Sequence, residues 1–485
     1  MKRVKFRYIF AVYAAVVAYV CMFMIYPAHD DFYYAAPMPG MNLLESLKPT
    51  ASFWRPFDRL IEYGLGYAPY LFPYVNHFVI LMGHFLLCAL LYAVLKKLTG
   101  NKNCSLVGAL YFCVSPCIVC TVTNSDFINQ VWAILTGMAA TFFFFRARMT
   151  GKSGFLMLWL LLALVATLVK ENGIVWFIAP VMLHATYSIM SGESLSSTLK
   201  HNFVYFLVGI AGMILYFGIR FYFMGGFVLG AETDDGTGRY TLNFSPLHII
   251  RNYSIIIGGA STALDSLAIF LKPRNIPIII ITGIISAVFL GFVAMKICYI
   301  FRHDRQLFTG LVMLFVSAGY ISSPYAVMGY NSEATAYEMT FMIGLMLGVI
   351  LHSGGRSRFG RSILVAMFAC MILSSGHKIC VMHEYTLGVH NFIVEHAQDF
   401  RRTPAKAYVY FIEDIPRYGY ATYKYTMGHG LANGIGFKSV WGWRTKITIN
   451  HVSDDAHIDF TPDSLPEYDT VFSLSESGKL NVLRN

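Results

Sequence analysis

The sequence predicts an all-α polytopic membrane bundle of about eleven transmembrane helices, with a small C-terminal extracytoplasmic α/β domain. Three observations carry that expectation. Of 485 residues, 56% are hydrophobic and 13% charged, with a mean hydropathy of +0.54, against about 25% charged in soluble chains. The apolar residues fall in repeated runs of roughly 20, enough to cross about 30 Å of hydrocarbon. Basic residues cluster beside alternate ends of those runs, as residues retained in the cytoplasm do. Disordered and collagen-like chains are excluded by this composition, and the net charge of +10 is assigned to topology, with no nucleic-acid partner. Nine Cys lie in or beside apolar segments and none in the polar last hundred residues, so no disulfide framework is indicated.

The first span, Tyr8 to Tyr26, follows Lys2, Arg3, Lys5 and Arg7, which places the N-terminus in the cytoplasm. It is long and aromatic, and Pro27-Ala28-His29-Asp30-Asp31 follows without a small-residue cleavage pattern, so it is expected to be retained, not removed as a signal peptide. Further spans are expected at about 73–95, 104–123, 128–145, 154–170, 173–190, 203–222, 276–300, 307–325, 338–352 and 362–381. With that count, Lys96, Lys97 and Lys102, then Arg146, Arg148 and Lys152, then Lys200, then Lys296, Arg302 and Arg305, then Arg356, Arg358 and Arg361 all fall inside. Residues 253–271 are apolar but contain Gly258-Gly259, Ser261, Thr262 and Asp265. As a span they would send Arg302 and Arg305 outside, so an interfacial or re-entrant helix is expected on the outer face. Residues 1–381 then form the membrane module, with external loops at 27–72 and 223–275. Residues 382–485 form the polar external domain, with a helix near 388–400 and strands around Ala407–Ile412 and Thr470–Leu474.

Four polar insertions share the outer face. Asp30-Asp31 stands just past the first span; it is a hydrated loop start or helix cap, or else one carboxylate is a general base for an acceptor hydroxyl. Arg55, in Ser52-Phe53-Trp54-Arg55-Pro56-Phe57, either snorkels at the interface or offers a phosphate its planar fork of donors. Lys170-Glu171-Asn172-Gly173 closes the fifth span. A lysine there opposes the positive-inside bias, so it is either half of a hairpin-tip ion pair or a cation for a leaving phosphate, oriented by Glu171. Asp126, in the polar turn Asn124–Gln130, lies on the same surface. Cys113-x3-Cys117-x2-Cys120 matches an iron–sulfur spacing but sits in a continuous apolar run, where cysteines behave as small hydrophobes. His84, mid-span, is expected to be packed or hydrogen-bonded, not a metal ligand, and no metal is expected.

The order of these signals resembles the GT-C superfamily of polyprenyl-phosphate-sugar-dependent glycosyltransferases, the class of the protein O-mannosyltransferases and the lipopolysaccharide-modifying transferases. Phe53 to Glu171 is similar to the multispan module of transmembrane O-mannosyltransferases that carry TPR repeats, with the aromatic-Arg-Pro stretch, Asn76-His77, Ser115-Pro116 and Lys170-Glu171 in order. The resemblance covers about residues 1–220. It implies transfer with inversion of a monosaccharide from a polyprenyl-phosphate donor to an acceptor hydroxyl on a glycan, lipid or protein. It also implies Asp31 or Asp30 as base, Arg55, Lys170 and Glu171 at the donor phosphate, and no cofactor; fixed cations then do the charge neutralisation otherwise done by a metal. Asp126 and His84 are assigned to the acceptor or to supporting positions. The chain departs from those relatives in lacking TPR repeats, and in lacking an Arg beside the glutamates of Asn331–Glu338. The expected setting is a bacterial plasma membrane. The alternative is a transporter or polymerase of polysaccharide or lipid-linked oligosaccharide.

Overall fold

A computed structural model describes residues 16, 25–26, 42–49, 54–65, 74–224, 242–264, 276–329, 333–353 and 358–401, and the strand segments 406–412, 417–418, 424–425, 446–452, 470–474 and 480–484. The helices are α1 (Leu43–Ser46), α2 (Pro56–Leu65), α3 (Tyr74–Thr99), α4 (Lys102–Val114), α5 (Pro116–Thr123), α6 (Ile128–Thr150) and α7 (Ser153–Val169). They continue as α8 (Ala179–Met190), α9 (Leu195–Met224), α10 (Pro246–Ser261), α11 (Ile276–His303), α12 (Arg305–Ala326), α13 (Tyr337–Ser353) and α14 (Arg358–Arg401). Short 3-10 turns run over Ser125–Phe127, Glu171–Phe177 and Glu333–Ala336.

Among the described residues seven helices are long and apolar enough to cross a membrane, or nine when two bent pairs are each counted as one span. Those pairs are α4 with α5, bent by 60°, and Glu171–Phe177 with α8, bent by 43°. α7 is apolar but shorter, and the expected first span lies almost wholly outside the described residues. This is the pattern of a multi-pass membrane protein. Burial orders the helices: 83% of the most apolar stretch of Ala334–Ser353 is buried, against 17% for Leu195–Met224. α13 is therefore central, and α9 turns Phe203, Val204, Ile214 and Leu215 outward, where lipid can cover them. α13 approaches α4 closely because Gly108 and Gly344 face each other; a Cβ on Gly108 would meet the Gly344 carbonyl oxygen. Small residues at the contact let two helix backbones touch without a hydrophobic drive between them.

Two features at depth show how a bilayer protein breaks a helix. At Ser115-Pro116 the α4–α5 junction loses backbone pairing, and α14 supplies replacements. The Ser375 hydroxyl donates to the Val114 carbonyl (2.9 Å), and the fully buried Lys378 ammonium donates to that of Pro116 (3.0 Å). The second is α10, the segment expected to be interfacial or re-entrant. Asn252 donates to the Ala326 carbonyl at the end of α12, the Tyr253 hydroxyl to that of Gly319 further along it, and the Tyr111 hydroxyl of α4 reaches the Ala260 carbonyl. The helix then stops, with the Ala263 N–H donating to the Ser286 hydroxyl and its carbonyl accepting from Ser374. These bonds tie α10 and the residues just after it to α4, α11, α12 and α14; residues 265–271 of the expected segment lie outside the described ones. Unpaired backbone is tolerated at membrane depth only where protein groups satisfy it.

α14 passes through the expected boundary at 381–382 without a break, because no proline interrupts it, and absorbs the helix expected near 388–400. Beyond it, β4 (Lys446–Val452), β1 (Lys406–Ile412), β5 (Thr470–Leu474) and β6 (Leu480–Arg484) line up in that order. β1 runs parallel to β4 and β5, and β6 returns antiparallel to β5. Two short strands, β2 (Arg417–Tyr418) and β3 (Lys424–Tyr425), pair antiparallel.

Candidate functional site

One end of the bundle gathers polar side chains from six separate chain segments. Trp54 stacks on Phe223 at 4.8 Å, fixing the entry to α2, and Pro56 occupies the first helical position, where its missing N–H costs nothing. Arg55, just before it, puts Nε 2.5 Å from Glu171 Oε2. Arg220, near the end of α9, comes within 3.7 Å of the other Glu171 oxygen and donates to the Tyr216 hydroxyl at 3.1 Å.

Glu171 reaches that position because of the turn it opens. Lys170 is extended (φ −152°, ψ 137°), so it and its neighbour project in opposite directions. The chain then folds back through a Gly173 N–H bond to the Lys170 carbonyl (2.8 Å), with Gly173 pressed on the Ala166 carbonyl so closely that a Cβ there would collide. The expected Lys170–Glu171 partnership is thus corrected: Glu171 pairs with Arg55 and Arg220, while Lys170 turns to a different set.

Lys170 donates to Gln130 Oε1 in a long contact of 3.4 Å and lies 5.3 Å from the Phe127 ring centre. Gln130 in turn donates to Glu338 Oε2 (2.9 Å) and to the Ala334 carbonyl (2.7 Å). The other Glu338 oxygen accepts from Asn172 (2.9 Å) and from the Tyr325 hydroxyl (3.0 Å). Asn129 donates to the buried Asp58 (3.1 Å). Asp126 enters through a 3-10 turn capped by Asn124, whose side-chain oxygen accepts from the Asp126 N–H at 2.9 Å. Its carboxylate acts on both Arg55 and Lys170.

Burial on its own would lower the Arg55 pKa, but Glu171, Asp58 and Asp126 hold it above the ordinary guanidinium value. Nearby, burial pushes the Glu62 carboxyl up to about 7, although Arg59 opposes the shift from 2.6 Å.

The structure therefore brings Arg55, Asp126, Lys170 and Glu171 into one electrostatic neighbourhood. Asp30 and Asp31 lie outside the described residues. The chain just before them is held: the Tyr26 N–H donates to Thr386 Oγ1 of α14 (3.2 Å), and the Tyr26 ring stacks on His390 at 4.3 Å. His84 is buried and hydrogen-bonded as expected, with Nδ1 2.8 Å from the hydroxyl of Tyr337, the neighbour of Glu338. Asp58, Arg220, Tyr325 and Glu338 are the site residues that patterning alone did not single out. Arg220 carried a usable signal, being an arginine within an otherwise apolar run. No family model matches the chain, and no curated protein matches it.

Proposed function

We propose that the chain is a membrane glycosyltransferase, moving a monosaccharide from a polyprenyl-phosphate donor to an acceptor hydroxyl with inversion at the anomeric carbon. The supporting observation is the meeting of Arg55, Lys170 and Asp126, distant in sequence, at one end of a helical bundle. In this reading that end is extracytoplasmic, all eleven expected spans cross the membrane, and the N-terminus lies in the cytoplasm of a bacterial plasma membrane. The strands beyond Arg401 belong to an external α/β domain.

The chemistry follows from the charges. Asp31 or Asp30 takes the proton of the acceptor alcohol as its oxygen attacks the anomeric carbon, and the sugar–phosphate bond breaks with its electron pair passing to the lipid phosphate. Lys170 carries three donors and is held by one long bond, so it can turn to that leaving group. Arg55, tied to Glu171, supplies a fixed positive field with less freedom to move. Preorganised cations of this kind stabilise charge where it develops. The acceptor is a glycan, lipid or protein hydroxyl.

The test uses the purified full chain with a panel of radiolabelled polyprenyl-phosphate sugars, following label that leaves the lipid. Transfer is expected with at least one sugar, and a general base contributes about 10²–10⁴-fold in rate, so Asp31→Asn or Asp30→Asn should lose that much. Near-normal turnover in both variants and in the double removes the assignment. Label that crosses a bilayer still attached to its lipid would mean transport instead.

A further inference from the structure

Deeper in the bundle, three metal-ligating side chains share one place. His84 and Cys88, one turn apart, lie on the same face of α3, and Cys113 approaches from α4. All three are buried, and their ligand atoms lie within 4.8 Å of one another. We infer that His84, Cys88 and Cys113 form a binding site for a single soft divalent cation, zinc in the first instance.

The geometry argues for a ligand set over a chance meeting of small hydrophobes. The Tyr337 hydroxyl sits 2.8 Å from His84 Nδ1, which leaves Nε2 facing the thiols, 3.6 Å from Cys88 Sγ. Two ligands at about 2.3 Å and 2.0–2.1 Å from a tetrahedral zinc are themselves about 3.6 Å apart. A metal-bound histidine commonly has its second ring nitrogen held by an outer partner, and Tyr337 occupies that position. Phe112 packs beside the ligand set, its ring centre 4.9 Å from that of His84, and the fourth tetrahedral position falls to a water or another exogenous donor.

Charge selects the ion. Two thiolates and a neutral imidazole carry two negative charges, which a divalent cation cancels. A monovalent copper ion would leave one negative charge uncompensated in the core, and net buried charge is costly. Calcium and magnesium prefer oxygen donors. Binding forms two metal–sulfur bonds and one metal–nitrogen bond and sends two thiol protons to solvent, so affinity rises with pH. The site is separate from the sugar chemistry and stands whether or not the chain transfers sugar.

The experiment takes the full chain in detergent, purified from cells grown with zinc or with cobalt. Elemental analysis should find one ion per chain, and the cobalt form should show thiolate-to-metal charge transfer and the intense visible bands of a tetrahedral site. Cys113→Ser and Cys88→Ser should abolish the charge-transfer signal, Cys120→Ala should keep it, and Tyr337→Phe should retain the ion with about 10–100-fold weaker affinity. A protein free of metal from both growths overturns the inference. So does a Cys88–Cys113 disulfide in freshly purified protein, or a cobalt spectrum unchanged in either cysteine variant. If a cysteine variant fails to fold, stoichiometry and spectrum of the unaltered chain decide alone.

Discussion

At the scale of single residues, polar groups that interrupt apolar stretches were the legible part of the site. Arg55 between an aromatic and a proline and Lys170 against the charge bias stood out alone, Asp126 by the face its hairpin shares with them, and the structure brings the three together. Their partners were not legible in the same way. Glu171 was expected to serve Lys170 because they are adjacent, yet extended backbone sends adjacent side chains apart, and only the fold brings in Arg220. Two predictions belong here. Lys170→Ala should weaken use of the polyprenyl-phosphate donor, raising its KM, while Lys152→Ala at the opposite end of α7 leaves it unchanged; equal effects in steady-state assays would contradict the placement. The second concerns Glu62. Its folded pKa of about 7 lies above the ordinary carboxyl value, so the folded form binds the proton more tightly. Its stabilising contribution is therefore full below about pH 4.5 and is lost as pH rises through about 7. Hydrogen exchange over 56–65 should accelerate between those pH values in the natural chain, after correction for the intrinsic exchange rate, and Glu62→Gln should flatten the change.

Whole elements were easier to foresee than their ends. A run of apolar residues announces a helix, but the places where α4 gives way to α5 and where α10 stops depend on groups far along the chain. Ser375 and Lys378 satisfy the first break, and Ser286 and Ser374 the second. The serines have no local signature, because a serine in a membrane helix looks the same whether it bonds its own preceding turn or another element's orphaned carbonyl; Lys378, a lysine in an apolar run, does carry one. The close packing of α13 is clearer in hindsight: Gly344 and Gly348 are spaced one turn apart, the small-residue spacing of close helix pairs, and they admit α4 at Gly108 and α3 at Leu95 respectively. Gly108→Val should force those backbones apart and cost about 1–3 kcal/mol, the usual range for overpacking. Gly291→Ala on α11, where an added Cβ meets nothing within 4 Å, should be neutral. Thermal unfolding of both variants in one detergent checks the contrast.

For the molecule as a whole, the charge pattern and the packing are two independent accounts of which helix ends belong together. The basic clusters assign Lys96, Arg148, Lys152, Lys200, Lys296 and Arg302 to one side. The contacts made by Arg55, Asp126, Glu171, Arg220, Tyr325 and Glu338 assign the opposite ends to the other. Each of α6, α7, α9, α12 and α13 has to be traversed in the same sense under both. A chain whose charges ignored topology would have no reason to agree with its own side-chain network. The agreement says which ends are together, and the proposed orientation puts the basic ends in the cytoplasm by the positive-inside rule. Single cysteines placed at position 152 and at position 235 in a chain otherwise purged of exposed thiols should therefore differ in intact cells. A membrane-impermeant maleimide should label position 235 before lysis and position 152 only afterwards. Labelling of position 152 in intact cells would turn the bundle over, moving Lys170 and Arg55 to the cytoplasmic face and removing the basis for extracytoplasmic sugar transfer.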